Sequence, residues 1–66
     1  MNPVEFEECE VVAETDLAIC VEGVLEDGMW VPKSEKILST DSECLKKGDT
    51  GTLVVSEWWA NQKGLL

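Results

Sequence analysis

Acidic side chains and tryptophans are the residues of this sequence that could carry a function. The chain of 66 residues has 14 acids, five lysines and three tryptophans, and it has no histidine or arginine. Residues 1–31 carry nine acids and no lysine, whereas residues 32–66 carry five of each. This uneven field repels phosphate backbones and attracts basic surfaces. The chemistry to expect is therefore electrostatic recognition of a basic partner.

The spacing of the N-terminal acids suits such a partner. Alternate residues of a β-strand share a face and lie about 6.6–6.8 Å apart, close to the phosphate spacing of a nucleic-acid strand. We predict an acidic partner-binding face made of Glu8, Glu10, Glu14, Glu22, Glu26 and Asp27. It would dock on a basic protein that handles nucleic acid, in its sharpest form as a nucleic-acid mimic that occupies the partner's groove. The alternative is that these carboxylates only keep a small chain in solution.

The sequence lacks the residues that catalysis and metal binding usually require. Cys9, Cys20 and Cys44 are odd in number and widely spaced, which argues against a disulfide framework and fits a reducing compartment. No Cys-x-x-Cys pair or histidine starts a zinc site, and histidine is also the usual general base near neutral pH. A reactive thiol needs a base or a cation beside it, and only Cys44, followed by Lys46 and Lys47, has one nearby. We predict no catalytic residue, no metal and no cofactor.

Two alternative functions involve the tryptophans. Trp30 with Lys33 and Lys36 could stack and hold single-stranded nucleic acid, although the net charge of −9 opposes this. Self-association through an open sheet edge or an exposed tryptophan would instead give a homodimer.

The first half of the chain predicts β-strands. Apolar residues alternate with acids, but the apolar parity changes between Phe6 and Cys9. A strand that changes face needs a bulge, which we place at Glu7–Glu8. Residues 17–25 predict a half-buried strand whose inner face consists of Leu17, Ile19, Val21 and Leu25.

Turn residues divide the rest of the chain. Asp27-Gly28 predicts a two-residue hairpin turn, and Gly23 indicates a bulge or a close backbone approach. Pro32 ends the next strand or places it at an edge. Ile37-Leu38 could form a short strand, residues 39–50 predict a loop, and residues 51–56 predict a last strand.

A short helix should close the chain. Ser56 is a good N-cap, and Gly64 stands where a left-handed residue ends helices, with Leu65 as its apolar contact. Adjacent helical residues point about 100° apart, so Trp58 and Trp59 cannot both face a core. We assign Trp58 to the core and Trp59, with Trp30, to the partner-binding surface.

These elements predict one domain over residues 1–66. The fold is mainly β: a small curled antiparallel sheet or an SH3- or OB-like barrel with a short C-terminal helix. A flat α+β sheet with one covering helix is the alternative. The start MNPVEFEECE lacks the features of a signal peptide, and no apolar run approaches the roughly 20 residues of a membrane helix. We expect a cytoplasmic protein without membrane contact.

Three segments together resemble a family of small phage- and prophage-type proteins. They are AETDLAICVEG, DGMWVPKSEKI and SEWWANQKGL, and the family pattern is E-T-x-x-A…W-x-P-K-S…E-W-x-A-x-x-K-G-L. The matching residues are Glu14, Thr15, Ala18, Val21, Trp30, Pro32, Lys33, Ser34, Glu57, Trp58, Ala60, Lys63, Gly64 and Leu65. The resemblance implies a small β-barrel of phage origin, near replication and recombination functions and without an agreed activity. Residues 37–51 depart from the pattern.

Overall fold

The alternating first half and the segment after residue 49 form a four-stranded antiparallel sheet. The structure is a computed structural model that describes residues 3–66, so the first two residues of the MNPVEFEECE segment lie outside it. The strands are β1 (Val4–Glu14), β2 (Ala18–Glu22), β3 (Met29–Pro32) and β4 (Thr50–Val55), followed by one helix, α1 (Glu57–Gln62). Their order in the sheet is β3-β2-β1-β4. The predicted curled sheet with a C-terminal helix is confirmed, while β3 and β4 do not pair to close a barrel.

The predicted bulge in β1 is confirmed at Glu7–Glu8. Pairing with β4 shifts register between Phe6 and Cys9, and Glu8 has the left-handed φ of 58°. The extra residue lets Phe6 pack against the core while Cys9 is 2% exposed in it. A second register shift in β1, at Val12 in the pairing with β2, was not predicted.

Gly23 makes the close approach that its place in the sequence indicated. Its φ is 111°, and a Cβ at this position would lie 2.8 Å from the carbonyl oxygen of Glu8. Any side chain would therefore push against the bulge of β1. The strand β2 ends at Glu22, directly before this contact.

The predicted strand over residues 17–25 is too long, and two of its inner-face residues are wrong. Leu17 is 81% exposed because it lies in the tight turn closed by the hydrogen bond from Thr15 N to Ala18 O. Leu25 is 47% exposed, in a connection of residues 23–28. The two-residue hairpin turn at Asp27-Gly28 is also wrong, since Gly28 instead closes a turn by donating to Leu25 O.

The loop between β3 and β4 covers the outer edge of β4. Ile37-Leu38 contributes one bridge, between Leu38 and Val55, in place of a short strand. Ser39 N donates to Val54 O and Glu43 N donates to Thr52 O. The free edge of the sheet is therefore β3, whose last residue is Pro32 as predicted.

One hydrophobic cluster lies between the sheet, this loop and α1. Its buried members are Cys9, Val11, Ile19, Val21, Met29, Val31, Leu38, Cys44, Leu53, Val55, Trp59 and Ala60. The strands contribute residues mainly from one face of the sheet, and Val54 on the opposite face of β4 is also buried, at 6% exposure. No helix among residues 3–66 is long and apolar enough to cross a membrane.

The caps of α1 are as predicted, but the assignment of the two tryptophans is wrong. Ser56 Oγ accepts from Trp59 N, Gly64 has a φ of 71°, and Leu65 N donates to Ala60 O. With both ends held, the side of α1 that carries Trp59 and Ala60 faces the core. Trp59 is 4% exposed and Trp58 is 56% exposed. A six-residue helix has too few turns for its sequence to show which of the two tryptophans faces the core.

Replacing the buried tryptophan should therefore destabilise the fold far more than replacing the exposed one. We expect Trp59→Ala to cost about 3–5 kcal/mol, as large core truncations do, and Trp58→Ala to cost about 0.5 kcal/mol or less. Urea denaturation followed by circular dichroism measures both. Trp59→Leu, a milder change, gives a measurable midpoint if the alanine variant is unfolded. Equal losses for Trp58→Ala and Trp59→Ala would contradict the packing.

Candidate partner-binding surface

The face of the sheet opposite the core, here called the outer face, is organised in rows of cross-strand partners. Partners on adjacent strands share a face. An acidic row consists of Thr50, Glu10 and Glu22, and an aromatic row consists of Ala13, Cys20 and Trp30. Ala18 and Pro32 form a third row beyond the aromatic one. The outer face thus changes from carboxylates to apolar groups within two rows.

Glu10 and Glu22 lie directly opposite each other in the acidic row. Directly opposed residues have Cβ atoms about 4.5–5.5 Å apart, and like charges in this position destabilise a sheet. Both residues are exposed. In the part of the chain that the structure describes, the one ion pair joins Lys33 and Glu14, so no lysine pairs with Glu10 or Glu22.

Three more of the predicted acids lie at the same end of the sheet. Glu8 is exposed at the bulge, where its carbonyl oxygen meets Gly23. Glu26 and Asp27 are exposed in the connection that begins at Gly23. The fold therefore gathers five of the six predicted acids around the acidic row, although the bulges break the regular spacing expected along one strand.

Glu14, the sixth predicted acid, makes two contacts within the fold. The second bulge places it opposite Ile19, a residue of the buried face. One carboxylate oxygen accepts from Lys33 Nζ at 2.6 Å, and the other accepts from Lys47 N at 3.1 Å. The hydrogen bond from Lys33, followed by that from the Lys47 backbone, holds the pKa of Glu14 below its ordinary value. Glu14 thus ties together β1, the end of β3 and the loop before β4.

Of the two tryptophans assigned to the surface, one is exposed and the other is buried. Trp30 is 52% exposed and lies in the aromatic row, opposite Cys20. Trp59 is buried and cannot contact a partner in this fold, and Trp58 is the exposed tryptophan of α1. Sequence patterns missed Ala13 and Cys20 as neighbours of Trp30, because only the strand register reveals them.

Lys33 and Lys36, the lysines predicted to act with Trp30, have other surroundings. Lys33 Nζ is bound to Glu14, and the Lys47 backbone meets the same carboxylate. Lys36 lines a separate cleft with Glu35 and the start of α1. This arrangement weakens the alternative of single-strand nucleic-acid binding, since that function needs a positive groove beside the aromatic ring.

The thiols are poorly placed for reaction. Cys9 and Cys44 are buried and free, and Cys20 is partly exposed. Burial raises the pKa of Cys9, and it raises the pKa of Cys44 to about 11. The lysines that follow Cys44 therefore do not activate it. Among residues 3–66 no cluster of three or more His, Cys, Asp or Glu side chains could hold a metal ion.

Comparisons with protein-family models, with curated proteins and with solved structures find no match for this chain.

The Glu14 contacts predict a specific dependence of stability on pH. A carboxylate whose pKa is lowered by folding stabilises the fold above its unfolded pKa, about 4.3, and loses that contribution as the pH falls through the folded value. We expect Glu14→Gln to destabilise the fold near neutral pH and to have a smaller effect toward pH 3. Urea denaturation across this range measures the difference from wild type.

Glu7→Gln is the matched control for Glu14→Gln. Glu7 is exposed, and its carboxylate accepts no hydrogen bond from any described residue. Its difference from wild type should stay small at every pH. A Glu14→Gln effect of constant size from neutral to acid pH would show that the carboxylate charge does not matter.

The opposed pair predicts that removing a charge stabilises the protein. We expect Glu22→Gln to raise the free energy of unfolding by roughly 0.2–1 kcal/mol, more at low salt than at high salt. Adding Glu10→Gln should give little further gain, because the first substitution already removes the repulsion. Denaturation of the single and double variants at two salt concentrations measures this. Additive gains, or gains without salt dependence, would mean that the two carboxylates do not interact.

Proposed function

We propose that this protein is a non-catalytic binding protein whose acidic outer face docks on a basic surface of a protein that handles nucleic acid. The observation that carries the proposal is the unpaired Glu10–Glu22 row. Two carboxylates held opposite each other without a cation destabilise the sheet, and a basic partner would remove that repulsion. A neutral residue at either position would remove the repulsion, so the stability of the fold gives no reason for two carboxylates there.

The surroundings of the pair support the same function. Glu8, Glu26 and Asp27 enlarge the negative field at this end of the sheet. Such a field raises the rate at which a positively charged partner arrives. A nucleic acid would be repelled by it, and Lys33, the lysine nearest to Trp30 in the sequence, is already bound to Glu14.

The partner class follows from the charge pattern and from the family resemblance. Proteins that bind DNA or RNA carry the basic grooves that such a carboxylate array would fit. The resemblance to small phage-type proteins suggests a phage origin and a host cytoplasmic target, such as a defence nuclease that the protein inhibits by mimicking nucleic acid. In this fold the mimicry would use acids on two strands and a loop rather than a regular series along β1.

The test compares two double variants with the same net charge. Glu10→Gln/Glu22→Gln removes the acidic pair, and Asp16→Asn/Glu35→Gln removes two exposed acids from the β1–β2 turn and from the loop after β3. Each immobilised protein is exposed to a bacterial lysate at low and at raised salt, and captured proteins are identified by mass spectrometry. We expect wild type and the control to capture the same basic nucleic-acid-handling proteins, and the acidic-pair variant to lose them.

Direct nucleic-acid binding is measured in parallel with labelled single- and double-stranded DNA. We expect no binding by wild type at low salt. Tight DNA binding that is lost in Trp30→Ala would favour the alternative function. Equal capture by all three proteins would show that the acidic pair is not the docking surface.

A further inference from the structure

The outer face leaves an apolar area uncovered beside the acidic row. Trp30 is half exposed, and its row partners Cys20 and Ala13 are partly buried small residues that leave space beside the ring. Ala18 and Pro32 continue this area toward the β1–β2 turn. The loop contributes Leu38 and Cys44 to the core and α1 contributes Trp59 and Ala60, whereas Trp30 stays 52% exposed on the outer face.

The strand register places Trp30 beside the nearer of the two opposed acids. Glu22 is the diagonal neighbour of Trp30, two residues beyond its partner Cys20 on β2. Diagonal neighbours are separated by about 7–8 Å, a distance that long and aromatic side chains bridge. A cation placed between them would contact the face of the ring and at least one carboxylate at the same time.

Charge complementarity favours a positively charged partner over a second copy of this chain. A second copy of this chain would bring another acidic row against Glu10 and Glu22, on a molecule with a net charge of −9. The free edge of β3 is also a poor site for pairing between copies, because it is four residues long and ends in Pro32, which has no N–H. A positively charged partner fits both rows.

We infer that the aromatic and acidic rows together form a site for an arginine side chain of the partner protein, with the guanidinium between the Trp30 ring and the carboxylates of Glu22 and Glu10. This inference rests on the proposed function and names the group that is recognised. Arginine suits the site better than lysine. Its planar guanidinium stacks on an aromatic face and pairs with carboxylates through two parallel hydrogen bonds, and its weaker hydration makes burial easier.

The test uses two labelled peptides of equal length and charge, one of alternating arginine and glycine and one of alternating lysine and glycine. Fluorescence anisotropy measures their affinity for the full chain at low salt. We expect the arginine peptide to bind more tightly than the lysine peptide. Trp30→Ala should weaken the arginine peptide by at least about fivefold, as loss of an aromatic anchor does, and should remove the preference for arginine.

Trp58→Ala is the matched control, since Trp58 has nearly the same exposure as Trp30, 56% against 52%, but lies on α1. It should leave both affinities unchanged. Circular dichroism verifies that each variant is folded. Trp30→Leu keeps an apolar side chain on the edge strand, and it should also lose the preference for arginine.

The outcomes separate this inference from the proposed function. If Glu10→Gln/Glu22→Gln weakens both peptides while Trp30→Ala changes neither, the arginine site is wrong and acidic docking stands. If the acidic-pair variant behaves like Asp16→Asn/Glu35→Gln, the proposed function fails as well. If light scattering shows a dimer that Trp30→Ala dissociates, the face belongs to a second copy and the inference is overturned.

Discussion

The structure depends on β1, which pairs with β2 on one side and with β4 on the other and must change face between Phe6 and Cys9. The left-handed Glu8 makes that change, and Gly23 makes room for it by presenting no side chain to the Glu8 carbonyl. Without the extra residue, Cys9 and Val11 would point to solvent and Glu10 would enter the core. The same bulge therefore completes the core and places Glu10 opposite Glu22 on the outer face.

A chain of this size has little apolar surface to leave outside. Short domains bury a smaller share of their surface than long ones, so each large side chain counts toward stability. Yet two of the three tryptophans lie half exposed, at Trp30 and Trp58, while the core is filled mainly by aliphatic residues and thiols. Under the proposed function, the exposed aromatic residue beside an unfavourable pair of carboxylates would act in recognition.

Most local features of the fold could be predicted from the sequence, with the turn at Asp27-Gly28 as an exception, and features that depend on register or docking could not. The bulge, the Gly23 approach and both caps of α1 follow from neighbouring residues alone. Which of Trp58 and Trp59 is buried depends on how α1, a helix too short to be stable alone, packs on the sheet. The second bulge at Val12 lies in an apolar run, residues 11–13, whose composition does not show which residue is the extra one, and the bulge moves Glu14 away from the acids it was grouped with. Glu10 and Glu22 were both named from the sequence, but only the register of β1 and β2 shows that they face each other.

The second bulge also separates the charges of the molecule along the sheet. The acidic row, the bulge at Glu8 and the connection with Glu26 lie at one end, whereas Lys33 and the Lys47 backbone meet Glu14 at the other. Because Glu14 neutralises Lys33 locally, the field of the outer face is set by the acidic end. A basic partner would therefore be drawn toward Glu10 and Glu22 before it touches the sheet, and it would meet Trp30 on the side of the acidic row. Electrostatic steering of this kind acts on the rate of association, while the aromatic contact acts on the lifetime of the complex.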